Sequence, residues 1–111
     1  MNDEFDPADP VTHYCIVRRD IPYGVQAAQL VHAAGESSPG NLSPHTFAVV
    51  LTVADAPALV KLANKLTLGG ITHKLIVEPT GDYAGQPLAL GIVPAKKSYI
   101  RKFVSNLPLL R

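Results

Sequence analysis

The chain carries ten Lys and Arg against nine Asp and Glu in 111 residues, with 47% apolar content and a single cysteine. That is the size of one domain with enough apolar side chains for a core of its own, and one cysteine excludes an intrachain disulfide. No apolar run approaches bilayer length, and the N-terminus is acidic where a signal peptide is basic and then apolar, so a cytoplasmic protein is expected.

Residues 1–12 read as an acidic leader in which Asp3, Glu4, Asp6 and Asp9 stand among polar and Pro residues, and disorder is expected there. The folded domain is expected over 13–111. With the leader set aside, five acids face ten bases. That balance is compatible with an RNA partner, although dedicated nucleic-acid binders are often more basic.

His13 to Arg18 reads as a buried strand holding Tyr14, Cys15, Ile16 and Val17. Cys15 is expected as a buried structural thiol, because no basic partner lies nearby to make it a nucleophile. Asp20 to Gly24 is a loop punctuated by Pro22 and Gly24. A helix follows from Gly24 to Ala34. Helical spacing puts Ala27, Leu30, Val31 and Ala34 on a stripe for burial, with Val25, Gln29 and His32 on the opposite face. The amide and imidazole of that face either wall a cleft or decorate an ordinary polar surface.

Glu36 to Pro44, rich in Gly, Ser, Pro and Asn, is a surface connection. His45 to Val53 is a second strand. Asp55 caps a second helix whose buried stripe is Leu59, Leu62, Ala63 and Leu66, and Gly69–Gly70 ends it. Thr72 to Val77 and Leu88 to Val93 are the third and fourth strands, separated by a Gly/Pro-rich loop. A last helix beyond Pro94 buries Ile100, Phe103, Val104 and Leu107 and stops at Pro108. The order β-α-β-α-β-β-α, with largely continuous apolar strands, predicts an α/β fold. It is a three-layer α/β/α arrangement with a four-stranded mixed sheet and three helices. The sheet is mixed because the link between the third and fourth strands is too short for a helical crossover.

Two blocks of sequence resemble the type II peptidyl-tRNA hydrolases. Val17, Arg18 and Asp20, ending the first strand, and Ala27–Ala28–Gln29–Leu30–Val31–His32–Ala33 are similar to that family's V-R-x-D and A-A-Q-x-x-H-A at its spacing. Leu90–Gly91–Ile92–Val93–Pro94 resembles the L-G-I-G-P that precedes the family's last helix. The likeness runs from Tyr14 to Leu110. Two departures stand out. The family's lysine-rich loop has no lysine here: its lysines fall on Tyr23 and Val25, and the one nearest the helix, catalytic in the family, is Val25. The later D-A-G-R-T-Q loop is replaced by Glu78–Pro79–Thr80–Gly81–Asp82–Tyr83, two residues shorter before Leu90.

The resemblance implies hydrolysis of the ester joining a peptide or blocked amino acid to the 3′ end of tRNA. Such chemistry needs an activated water, a donor for the developing oxyanion and a surface for polyanionic RNA. The catalytic candidates are Asp20, His32, Glu78, Thr80 and Asp82. Asp20 stands at the cleft edge, or else caps the helix or pairs with Arg18 or Arg19. His32 serves as a base or as a fixed hydrogen-bonding group. Glu78 takes the place of the family aspartate, and the family threonine corresponds to Thr80 or, by strict counting, to Asp82. Arg18, Gln29, Lys96, Lys97 and Arg101 are the substrate-binding candidates. Gln29 would hold a carbonyl or a water, and the basic face of the last helix, Lys102 included, either contacts phosphates or is simply solvated. Arg18, Arg19 and Lys74 are the candidates to replace the missing lysine charge. Tyr83 either stacks on a terminal base or packs over its loop.

His13, His45 and His73 have no partners at metal-ligand spacing, and no metal or other cofactor is expected. The expected partner is peptidyl- or aminoacyl-tRNA, with no membrane, and a homodimer is open. The rival reading is a non-catalytic module on the same fold, binding RNA, a small ligand or a protein.

Overall fold

The computed structural model describes residues 5–111; Asp3 and Glu4 of the expected leader lie outside the described residues. The elements are β1 (Val11–Arg18), α1 (Tyr23–Ser37), β2 (Phe47–Val53), α2 (Ala56–Leu68), β3 (His73–Val77), β4 (Pro87–Ile92), β5 (Ala95–Lys96) and α3 (Lys97–Val104). The sheet order is β2-β1-β4-β3. The β1–β2 pair is parallel, and β4 is antiparallel to both of its neighbours. The two-residue β5 pairs with the start of β1 through Val11↔Lys96 and Thr12↔Ala95. It adds a fifth short strand to the four expected. The same pairing starts β1 at Val11, two residues earlier than His13. Just upstream, the Asp9 carboxylate accepts from the Ser98 backbone N–H and hydroxyl.

Helices cover both faces of the sheet. α1 packs on one with Cys15, Val17, Leu88 and Ala89, while α2 and α3 pack on the other with Tyr14, Ile16, Leu90 and Ile92. The alternation of β1 side chains feeds the two cores in turn. The Asp55 carboxylate accepts from the Ala58 N–H at 3.0 Å and caps α2. Gly70, at φ 73°, takes the left-handed position after it. Past α3, the tail runs along the edge of β2. The Thr52 N–H donates to the Pro108 carbonyl at 2.8 Å, and the Leu110 N–H donates to that of Val50 at 3.0 Å. That strip of main chain is thereby removed from the exposed edge.

The buried stripe of α1 differs from the expected one. Gln26, Gln29, Ala33 and Ser37 are buried, whereas Ala27 is exposed and Val31 is 73% exposed. The helix is turned by about one residue, or roughly 100°. The inward polar groups find partners, except that Gln26 Oε1 is buried without one. Gln26 Nε2 donates to the Ile21 carbonyl at 2.9 Å, and the Ser37 hydroxyl donates to the Ala33 carbonyl at 2.6 Å. His13 Nε2 lies 2.7 Å from the Ser37 oxygen. Because the single hydroxyl proton of Ser37 is committed to Ala33, the imidazole is the donor in that bond. These bonds carry α1 three residues past Ala34. They also draw it so close to β4 that a Cβ at Gly91 would overlap the Ala33 carbonyl and the Ser37 hydroxyl.

Candidate functional site

The site is built at the ends of β1 and β3, where strands give way to loops. Arg18 closes β1 and is buried, and its guanidinium reaches three acceptors. Nε and Nη2 grip the Asp20 carboxylate at 2.7 and 2.9 Å. Nη1 donates to Gln86 Oε1 at 2.8 Å and to the Pro87 carbonyl at 3.3 Å. The bidentate pair holds the Asp20 carboxyl below the usual carboxylate range and raises the arginine above its own. Asp20 pairs with Arg18 and does not cap α1, whose N-cap is Pro22 with no side-chain cap. The Arg18 charge is thereby matched by the Asp20 carboxylate. Val25, at the family's lysine position, is half-buried against the apolar cluster around Cys15 and Val17.

Gln86 belongs to the loop between β3 and β4, and that loop is closed at its base. The Glu78 N–H donates to the Gln86 carbonyl at 3.1 Å, and the Gly85 N–H donates to the Glu78 carbonyl at 2.7 Å. Gly81 and Gly85 turn it with φ of 83° and 78°. On its far side, Glu78 accepts from Gln29 Nε2 at 3.0 Å. An unbroken chain of bonds thus runs from Asp20 through Arg18, Gln86 and the loop backbone to Glu78 and Gln29. It joins α1, β1 and the loop.

Between α1 and the edge strand β3 lies a depression of about 280 Å³, lined by Gln29, His32, Glu36, Leu75, Glu78 and Pro79 among others. Gln29 is 6% exposed, while His32 is exposed at its rim. The structure therefore brings Gln29, His32 and Glu78 to one place and links Arg18 and Asp20 to it. Thr80 and Asp82 sit on the exposed turn of the loop, outside the depression. Lys97 and Arg101 lie across the sheet, against the core that α3 shares with β1 and β2, and exposed Lys96 precedes them in β5. Tyr83 packs against the cluster beneath α1. Gln86 and Glu36 were missed by sequence reasoning. Gln86 lies 68 residues from the Arg18 it binds, and no local pattern marks that pairing.

Among the described residues, no group of three or more His, Cys, Asp or Glu is placed to hold a metal ion, and no helix is long and apolar enough to cross a membrane. A family model, peptidyl-tRNA hydrolase PTH2, matches residues 11–110. No curated protein matches the chain.

Proposed function

The chain belongs to the peptidyl-tRNA hydrolase PTH2 family, and we propose that it hydrolyses the acyl ester at the 3′ end of peptidyl- or aminoacyl-tRNA. The observation that carries this reading is the bond from Gln29 to Glu78 in a depression shared with His32. Gln29 occupies one Glu78 oxygen and leaves the other to take a proton from water. That water attacks the ester carbonyl; the tetrahedral adduct then collapses, and the ribose 3′-oxygen leaves with the proton returned to it. Positioned proton transfer of this kind contributes about 10²- to 10⁴-fold. The exposed His32 imidazole, on the rim, donates to the oxyanion or to the leaving oxygen. All three groups come from one chain, so the reaction does not require a homodimer. The reading carries with it a tRNA partner and a cytoplasmic setting.

The second reading, a binding module without turnover, is favoured by Val25, whose apolar packing replaces a cationic group. Losing such an electrostatic donor costs roughly 10²- to 10³-fold in rate, so slow hydrolysis is expected rather than none. The test is incubation of the protein with N-blocked aminoacyl-tRNA, following release of the acyl group. Release that is suppressed in Glu78→Gln and reduced in His32→Ala supports the enzyme. Binding of the tRNA with no release above the uncatalysed background supports the module.

A further inference from the structure

The sheet keeps two sets of polar residues apart. On the α2–α3 side, away from Gln29 and Glu78, Lys97 and Arg101 border a slot of about 360 Å³. Its floor is the face of β1 and β2 formed by Tyr14, Phe47, Val49 and Leu51. With eight residues, α3 is only about 12 Å long, and α2 packs chiefly on β4, with lesser contact to β1 and β3. Neither covers Phe47, which is 51% exposed.

Three polar groups bear on this apolar floor. Lys97 and Arg101 stand one helical turn apart, and neither forms a salt bridge among the described residues. The nearby carboxylate of Asp9 is already engaged by Ser98. Tyr14 is 5% exposed and lines the slot, and its phenol makes no hydrogen bond to a described residue. Burial pushes that phenol's pKa up while the Arg101 charge draws it down, which puts the guanidinium within electrostatic reach of the hydroxyl. A hydroxyl that lines the slot without a protein partner can be met there by water or by a ligand.

We propose that this slot is a binding site for a small amphiphilic carboxylate. Its aliphatic or aromatic body would lie on Phe47, Val49 and Leu51, and its carboxylate would be held by Arg101, Lys97 and the Tyr14 hydroxyl. The volume falls at the low end of small-ligand pockets, roughly 300–1,000 Å³, so a medium-chain acid fits and an RNA duplex does not. The guanidinium fork suits a planar carboxylate. The site is independent of the ester-hydrolysis reading.

The test is titration of the full chain with sodium octanoate, with 1-octanol and an RNA tetranucleotide in parallel, followed by amide NMR shifts. Octanoate is expected to shift the amides of Thr12, Phe47, Val49 and Val104 saturably, leaving those of Gln29 and His32 in place. Octanol should bind at least about tenfold more weakly, and exposed Arg101→Ala should weaken octanoate by about tenfold, the scale of one charge-assisted hydrogen bond. Tyr14→Phe should weaken it several-fold. Absence of a saturable shift, equal binding of octanol and octanoate, or shifts with the tetranucleotide alone would each overturn the proposal.

Discussion

Gln29 and Glu78 are 49 residues apart in sequence and meet at 3.0 Å, so one hydrogen bond pins the first helix to the loop that follows β3. The bond fixes which Glu78 oxygen faces α1 and which faces solvent. Glu78→Gln keeps the shape and removes the base, and should lower ester turnover by about 10²- to 10⁴-fold. Gln29→Ala should lower it less, since the carboxylate survives but loses its orientation. Single-turnover release from N-blocked aminoacyl-tRNA measures both. Equal rates in the two variants and the parent would remove Glu78 from the chemistry.

Gln86 acts on the same loop from the other side, accepting from Arg18 with its side chain and from Glu78 with its carbonyl. Gln86→Ala leaves a buried guanidinium one acceptor short and should cost about 1–3 kcal/mol, measured by urea unfolding. The Glu78 amide should also exchange with solvent faster. Gln86→Glu restores an acceptor for Arg18 and should recover most of the loss.

Gly91 is where α1 comes closest to β4. Gly91→Ala forces a methyl group against the Ala33 carbonyl and the Ser37 hydroxyl, so overpacking of about 1–3 kcal/mol is expected. A lowered Tm, with a β4 amide pattern otherwise retained, is the outcome to look for. An unchanged Tm would mean that α1 can slide away freely.

His13 is buried against Ser37, and desolvation lowers its pKa from the ordinary 6.5. The folded state therefore resists protonation that the unfolded chain accepts. This contribution is fully present above pH 6.5 and is lost as the pH falls through the lower folded value. The urea midpoint should decline on acidification through that window, and His13→Gln should flatten the decline. Asp20 adds a second loss further down. Arg18 depresses its carboxyl below 3.8, so stability present above that pH is lost as the carboxylate protonates.

Much of the architecture is legible along the chain because each signal is local. Asp55 three residues before an amide it can reach, a glycine pair at a helix end, and continuous apolar runs at strand length all act within a few residues. The α1 face was misjudged for the opposite reason. Gln26, Gln29 and Ser37 look like surface residues until Ile21, Glu78 and His13 are brought to them by other elements. Thr80 and Asp82 fell near Glu78 in sequence, but the turn at Gly81 carries them out of the depression.

Sequence alone determined the element order, the mixed α/β layering and the presence of an amide, an imidazole and an acid at two separated positions. Hydrophobic period and turn chemistry act over short stretches and leave their record in neighbouring residues. Only the tertiary structure decided that Arg18 spends its charge on Asp20 and Gln86, that Glu78 faces Gln29, and that the α3 cations look onto the opposite side of the sheet. Those outcomes depend on which strand lies beside which and on how closely a helix approaches at Gly91, distances that no local pattern encodes.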